Sequence, residues 1–170
     1  MNKSELKIYP AYFSYYISLV AEEDIIDGLQ KSYDIASKKL NGINSELWDY
    51  RYDVNKWTVK NLILHLMDSE RIFSYRALCI SRGETISLPG FDETIYADNA
   101  YDAAYTISEI IEHYLLIRKN SILLFQHFSP KVYKNIGKAN DHDIELGAIG
   151  CAILGHELHH FKILVERYGV

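Results

Sequence analysis

The hydrophobic positions of this 170-residue chain recur at α-helical spacing in four long stretches, which are separated by connecting segments. The first stretch follows the acidic residues Glu22, Glu23 and Asp24, whose charges suit the positive end of a helix dipole. It ends at Asn41 and Gly42, a pair typical of a helix C-terminus. Its apolar stripe consists of Ile26, Leu29, Tyr33, Ala36 and Leu40. The spacing predicts an amphipathic helix.

The second stretch begins at Thr58, whose side chain is a suitable N-cap, and runs to about Arg82. Trp57 and Leu62 are placed to form a hydrophobic staple across its first turn. The apolar stripe of this helix also contains His65. The pattern therefore predicts that this imidazole points inward, among aliphatic side chains.

The third and fourth stretches complete the helical pattern. The third stops before Pro130, which cannot continue a helix, and carries Ile107, Ile110, Ile111, Tyr114, Ile117, Leu124 and Phe128. We predict that the fourth begins near Asp141 or Asp143 and places His156 and His160 on its apolar stripe. It also contains Gly147, Gly150 and Gly155. Glycine weakens a helix, so these positions predict the close approach of another helix or of a ligand.

A four-helix bundle is the natural way to bury four such stripes, and the sequence predicts an all-α fold in a single domain over residues 1–170. His65 lies early in its helix, whereas His156 and His160 lie late in theirs. The three imidazoles reach one level if the second and fourth helices are antiparallel. This arrangement predicts an up-down-down-up bundle with long crossover connections, one of them over residues 83–99.

Charge and composition exclude several classes of protein. The net charge is −5, and no block of Lys or Arg is present, so we expect no nucleic-acid partner. No run of 18 apolar residues is present, so we expect no membrane-spanning segment. Cys79 and Cys151 fit no disulfide pattern, which favours the cytoplasm. An apolar run from Ile8 to Ala21 leaves a secretory signal peptide as the weaker alternative, because it contains Pro10 and four tyrosines.

The histidines carry the candidate chemistry. Residues four apart share one face of a helix, so His156 and His160 can bind the same metal ion, and His65 can supply a third ligand. Three protein ligands leave a coordination position for water or substrate, as in a catalytic site. His159 could replace His160, because a spacing of three also shares a face. The alternative is a set of core histidines that make ordinary hydrogen bonds.

Nitrogen ligands suit several divalent metals, with zinc or nickel expected first and iron or manganese also open. A cation held by neutral imidazoles lowers the pKa of bound water and equally favours a bound thiolate. Both hydrolysis and thiol transfer are therefore compatible with the three histidines.

Two acidic residues are weaker catalytic candidates. Glu157 completes an H-E-x-x-H pattern with His156 and His160, in which zinc proteases use the glutamate as general base. A protease is disfavoured because no strand is evident that could hold an extended peptide. Asp68 or Ser69, three and four residues after His65, could accept the remaining N–H of that imidazole, although an exposed Asp68 is equally compatible.

Three segments resemble the DinB-like (damage-inducible) metal-binding four-helix bundles, a family related to YfiT-type hydrolases and bacillithiol transferases. They are RYDVNKWTVKNLILHLMDSERIFSYRALCISRGE (51–84), LPGFDE (88–93) and GHELHHFKILVERY (155–168). The resemblance implies an up-down-down-up bundle, a divalent metal on His65, His156 and His160, and a homodimer formed through helices. Asn61 replaces the glutamate usual in this subgroup, and Leu64 replaces a small residue, which leaves the shape of the pocket open.

These observations predict a metal-dependent enzyme that acts on a small molecule, either by transferring a low-molecular-weight thiol or by hydrolysing an amide-like bond. The 88–93 loop could line the pocket through Phe91, Asp92 and Glu93, or it could be a packed structural crossover. The alternative function is a metal-stabilised helical dimer with an interaction or stress role and no turnover.

Overall fold

A computed structural model of the protein describes residues 1–100 and 104–170. The described chain is mainly helical, and it also contains a small three-stranded sheet. The helices are α1 (Phe13–Leu19), α2 (Ile25–Gly42), α3 (Val59–Ser81), α4 (Glu93–Asp98), α5 (Ile107–Gln126) and α6 (Leu146–Ile163). The strands are β1 (Ser87–Leu88), β2 (Ile136–Ala139) and β3 (His142–Glu145). Short 3₁₀ turns at Lys3–Glu5, Ser45–Leu47 and Val132–Lys134 and a π-helical turn at Leu164–Tyr168 complete the described elements.

The four predicted helices are α2, α3, α5 and α6, and side-chain capping fixes where three of them begin. Asp24 accepts hydrogen bonds from the backbone N–H groups of Ile26 and Asp27 at the start of α2. Thr58 and Asn61 form a capping box at the start of α3. Thr106 and Glu109 form a second capping box at the start of α5. Each box satisfies backbone donors that the first turn of a helix leaves unpaired.

The relative directions of α3 and α6 follow from contacts at their two ends. The Tyr168 hydroxyl, just beyond α6, donates to the carbonyl of Trp57, just before α3. At the other end Asn135 donates to the carbonyl of Ile80 in α3 and accepts from the backbone N–H of Leu146 in α6. The start of each helix therefore lies beside the end of the other, and the predicted antiparallel arrangement is confirmed.

Helix α5 runs in the same direction as α3, since contacts between the two helices advance together along both chains. Arg118 contacts Glu70, and Ser121 contacts Ser74 one turn later. Helix α2 likewise runs parallel to α6, because its contacts advance from Ile25 beside Gly150 to Ser32 beside Glu157. The order of directions is up-down-down-up, as the sequence predicts.

The predicted start of the last helix is wrong, because residues 142–145 form strand β3 and α6 begins at Leu146. Asn140 and Asp141 adopt positive φ angles of 50° and 61°. Asn and Asp tolerate this left-handed conformation better than other non-glycine residues, so the pair forms a tight turn that reverses the chain. Strand β3 then pairs antiparallel with β2, and β1 pairs parallel with the other edge of β2. The sequence analysis identified no strand, and the structure adds this three-stranded sheet.

The apolar run near the N-terminus contains helix α1, which packs along α6. A Cβ atom added at Gly155 would collide with the backbone of Tyr16 and lie 2.8 Å from its Cα atom. A Cβ at Gly150 would similarly lie 2.8 Å from a side-chain carbon of Ile25. These contacts confirm the predicted close approach at the glycines of the last helix.

None of the helices within the two described ranges is both long and apolar enough to cross a membrane.

Candidate metal centre

The structure brings His65, His156 and His160 together at one wall of the bundle. The Nε2 atom of His156 lies 3.1 Å from the Nε2 atom of His65 and 3.1 Å from that of His160. One ligand atom of each ring lies within 4.8 Å of the others. The antiparallel pairing of α3 and α6 produces this convergence, since it sets the early residue of one helix beside the late residues of the other.

Burial keeps the three rings neutral. It lowers the pKa of His65 to about 4, because the charged form is disfavoured away from water. Burial, followed by the neighbouring His65 and His159, lowers the pKa of His156 to about 3. The pKa of His160 is lowered by burial and then by His156 and His65. Each ring therefore keeps a lone pair available at neutral pH.

This arrangement fits a divalent cation. Three neutral nitrogens that face one another cannot all satisfy each other by hydrogen bonding, because a single shared proton serves only one pair. A metal ion bound at about 2.0–2.1 Å from each nitrogen would satisfy all three. The Nδ1 atom of His160 is buried and, among the described residues, has no hydrogen-bond partner. This ring thus lacks the outer partner that usually orients a ligand histidine.

His159 lies beside the cluster but is not part of it. Its Nδ1 atom lies 3.3 Å from the hydroxyl of Tyr15, and its ring contacts Tyr16 edge-on. The structure therefore selects His160 over His159 as the partner of His156 in the cluster. His127 and His142 are exposed and His113 is partly buried, and none of the three belongs to the described histidine cluster.

A cavity of about 390 Å³ opens in front of the three histidines. Its walls come from α1, α3, α6 and the loop before α4, and Tyr12 and Glu93 at its rim are exposed to solvent. Besides the three histidines, the lining residues are Tyr12, Phe13, Tyr16, Trp57, Ser69, Phe73, Arg76, Phe91, Glu93, Asn140 and His159. A small molecule could therefore reach the histidine cluster from outside.

Comparisons with known proteins agree with this geometry. The family model of the DinB superfamily matches residues 29–164. The chain belongs to the DinB superfamily. A search among curated proteins gave no match.

A solved structure with the same fold is that of YfiT from Bacillus subtilis, described as a probable metal-dependent hydrolase with an unusual four-helix bundle topology. YfiT is 17% identical to this DinB-superfamily chain, and the match covers 96% of this chain and 91% of YfiT with a TM-score of 0.64. At this identity the likeness shows the fold, and the predicted all-α four-helix bundle is confirmed.

The two departures from the family pattern lie away from the cavity. Asn61 belongs to the capping box of α3, where its side chain accepts from Thr58. Leu64 is buried and lines a separate pocket with Met67 and Tyr96. Neither residue is among those described as lining the cavity of the histidines.

The loop at residues 88–93 has both of the predicted roles. Leu88 is buried in the core, which anchors the crossover. Phe91 and Glu93 line the cavity, whereas Asp92 caps α4 by accepting from Thr94 and Ile95. The loop is therefore a packed crossover that also supplies part of the cavity wall.

Asp68 lies outside the cavity. Its carboxylate accepts from Nη1 of Arg71 at 3.0 Å, and it lines the neighbouring pocket instead. Ser69 does line the cavity, but its hydroxyl oxygen is buried and has no hydrogen-bond partner in the described part of the chain. The structure therefore shows neither side chain accepting from His65.

Glu157 points away from the histidines into a buried polar network. Its carboxylate accepts hydrogen bonds from Ser32 and Tyr114 and from Nη1 of Arg118, the last at 3.1 Å. The guanidinium of Arg118 also donates two hydrogen bonds to Glu70, at 2.8 and 2.9 Å. Glu157 thus ties α6 to α2 and α5, a structural role that the H-E-x-x-H pattern does not predict.

The sequence analysis missed Arg118 and Glu70, although the position of Arg118 in the sequence indicated that it is buried. Arg118 lies four residues after Tyr114, on the apolar stripe of α5, so its side chain had to point into the core. A buried arginine is usually paired with carboxylates, and the two partners of Arg118 came from other helices, Glu70 from α3 and Glu157 from α6.

Proposed function

We propose that the protein is a metal-dependent enzyme that binds one divalent cation through His65, His156 and His160 and hydrolyses an amide-like or ester bond in a small molecule. One observation carries the proposal: three neutral imidazoles, of which His65 and His156 are buried and His160 is partly buried, converge at the wall of a solvent-accessible cavity. We expect zinc or nickel in this site, with iron or manganese as further candidates, because nitrogen ligands suit all of these ions. The description of YfiT as a probable metal-dependent hydrolase supports the proposal.

When bound, the cation would supply Lewis-acid chemistry, polarising a substrate carbonyl and lowering the pKa of water. The protein supplies two possible proton acceptors in the cavity wall. The carboxylate of Glu93 and the imidazole of His159 both line the cavity, and Glu93 lies near enough to Tyr16 to raise the pKa of its hydroxyl, after the effect of burial. We assign proton transfer to Glu93 rather than to Asp68 or Glu157, since those two carboxylates lie outside the cavity.

The aromatic side chains position the substrate. Tyr16 contacts the His156 ring edge-on at 5.4 Å between ring centroids, and Trp57 lies against the His65 ring at 4.8 Å. Phe73 contacts His156 from the α3 side at 6.1 Å. These rings fix the orientation of the imidazoles and give the cavity apolar walls that exclude water from a bound substrate.

Transfer of a low-molecular-weight thiol is the second candidate reaction. No cysteine lines the described cavity, so the thiol would have to be a substrate rather than part of the protein. The same cationic centre would favour the thiolate form of such a substrate.

The decisive experiment uses the full-length chain without a polyhistidine tag, loaded separately with zinc and nickel. Hydrolysis of p-nitrophenyl esters and anilides, and conjugation of small thiols to an electrophile, would be measured for the wild type, His65→Ala and the control His127→Ala. We expect turnover that His65→Ala abolishes and His127→Ala retains. Glu93→Gln should lower kcat with little change in KM, because it would remove a proton acceptor.

A non-catalytic, metal-stabilised dimer is the competing function. It would be supported by bound metal without turnover, together with a lower melting temperature after chelation. Turnover that is lost with the metal would exclude it.

A further inference from the structure

One charged side chain in the cavity is not used by the proposed chemistry. Arg76 is only 7% exposed, and it lines the same cavity as the three histidines. Among the residues that the structure describes, its guanidinium donates one hydrogen bond, from Nη2 to the carbonyl of Pro89 at 2.7 Å. Its Nε atom is buried and has no hydrogen-bond partner within residues 1–100 and 104–170. A buried guanidinium is costly to leave in this state, because it has five N–H donors and a permanent charge.

Arg76 has no ion-pair partner among the acidic residues that the structure describes. No described carboxylate lies within the 4 Å of an ion pair, unlike Arg118, which has two such partners. Glu93 lines the same cavity, but it is exposed at the rim, and its charge raises the pKa of Tyr16. The face of Phe73 lies 5.9 Å from the guanidinium carbon, which is a weaker contact than an ion pair. Burial lowers the pKa of Arg76, and the neighbouring Tyr12 acts in the opposite direction.

Arg76 lies on the same face of α3 as His65. His65, Ser69, Phe73 and Arg76 lie along one stripe of α3, and all four line the cavity. The eleven residues from His65 to Arg76 correspond to about 16 Å of helix rise. Between them, the hydroxyl of Ser69 is also buried without a described partner. Two unpaired polar groups thus face the cavity on the same stripe as the histidine cluster.

We infer that Arg76 is the binding site for an anionic group of the substrate, and that the substrate is an elongated small molecule with a carboxylate at the end remote from the histidines. A carboxylate matches the planar N–H fork of arginine, which includes the unpaired Nε, and would neutralise the buried charge. Ser69 lies where it can bond to a polar atom in the middle of the molecule. This inference rests on the proposed function, since it names the class of substrate for the same cavity.

Binding measurements test the inference without requiring turnover. The probes are the monohydroxamates of adipic, suberic and sebacic acid, whose far end is a carboxylate, and their chain-matched carboxamides, whose far end is neutral. Affinity for the zinc-loaded full-length chain would be measured by calorimetry. We expect the best carboxylate probe to bind about 10-fold or more tightly than its neutral match, the range for a hydrogen bond to a charged group.

The variants identify the residue responsible. Arg76→Gln should remove the preference for the carboxylate and leave the affinity for the neutral probe unchanged. Arg76→Lys should keep part of the preference, because it keeps the charge but loses the fork. Arg82→Gln, an exposed arginine at the end of the same helix, should behave as the wild type. Equal affinities in the wild type, or a preference that survives in Arg76→Gln, would overturn the inference.

The same binding measurements distinguish a failure of the anion site from a failure of the proposed metal site. If neither type of hydroxamate binds the zinc-loaded wild type, the metal chemistry is wrong. Octanoate and octanamide would then be compared on the metal-free chain, where no ion can hold the carboxylate. A preference for octanoate that Arg76→Gln removes would still support the anion site, and the absence of such a preference would reject it.

Discussion

The Nε2 atom of His65 lies 3.1 Å from the Nε2 atom of His156, although 91 residues separate the two histidines. These rings form a candidate cation site between α3 and α6, and we expect metal binding there to stabilise the folded bundle. Zinc at about 100 times its Kd should raise the free energy of unfolding by about 2.7 kcal/mol, because it binds the folded chain alone. Urea titrations with and without zinc would measure the effect.

The matched variants for that prediction are His65→Ala and His127→Ala. Loss of an outer partner of a metal ligand weakens metal binding by about 10–100-fold. His65→Ala removes a ligand itself, so it should weaken zinc binding by at least this much and remove the stabilisation. His127 is exposed and lies outside the cluster, so its variant should retain both. Equal stabilisation of the two variants by zinc would show that the ion binds elsewhere.

Arg118 should be essential for stability. Arg118→Met would leave the carboxylates of Glu70 and Glu157 buried without a cation, and loss of one partner from a buried pair costs about 3–5 kcal/mol. Chemical denaturation would measure the loss. Arg71→Met is the control, because the pair of Arg71 with Asp68 is exposed and contributes at most about 1 kcal/mol. Similar losses in the two variants would refute a special role for the buried network.

Gly155 should be needed for the packing of α1 against α6. Gly155→Ala would force the backbone of Tyr16 away from α6, at a cost of about 1–3 kcal/mol for overpacking. Since α1 supplies Phe13 and Tyr16 to the cavity, the substitution should also weaken binding of small molecules. Hydrogen exchange of the α1 amides would report the displacement.

Gly42→Ala provides the comparison, because an added Cβ at the end of α2 meets nothing within 4 Å. It should be neutral or slightly stabilising, since alanine has less conformational freedom to lose than glycine. Unchanged exchange of α1 in Gly155→Ala would contradict the tight packing seen at Tyr16.

The two cysteines should differ in reactivity. Burial raises the pKa of the Cys151 thiol to about 12, whereas Cys79 is only partly buried. Because the thiolate is the reactive form, a disulfide reagent at pH about 8 should modify one thiol of the native protein and two of the unfolded protein. Cys79→Ser should leave no rapidly reacting thiol. Rapid reaction in that variant would mean that the core around Cys151 opens readily.

Homodimerisation stays a prediction. Tyr75 and Leu78 of α3 and Leu116 and Leu123 of α5 are exposed and form an apolar groove, which a second copy could cover. Light scattering coupled to gel filtration should therefore give twice the monomer mass, and Leu116→Glu should give the monomer. A wild-type monomer at micromolar concentration would disprove the prediction.

The sequence by itself determined the four long helices, their directions and the three histidines of the cluster. The spacing of apolar residues along a helix indicates which side of it is buried. Because His65, His156 and His160 lie on apolar stripes, their rings are expected inside the bundle. The heights of these residues in their helices then require α3 and α6 to be antiparallel. Local signals therefore contained enough information to locate the candidate metal centre.

Only the tertiary structure decided the partners of the buried charges and the walls of the cavity. The sequence predicts that Glu157 and Arg76 lie in helices, but it does not predict their partners. Glu157 pairs with Arg118 on another helix, whereas Arg76 pairs with no described carboxylate. Helix α1 and the loop with Phe91 and Glu93 enclose the cavity through contacts between segments far apart in the chain. Such contacts depend on distances across the packed bundle, and a periodic pattern along one segment carries no information about them.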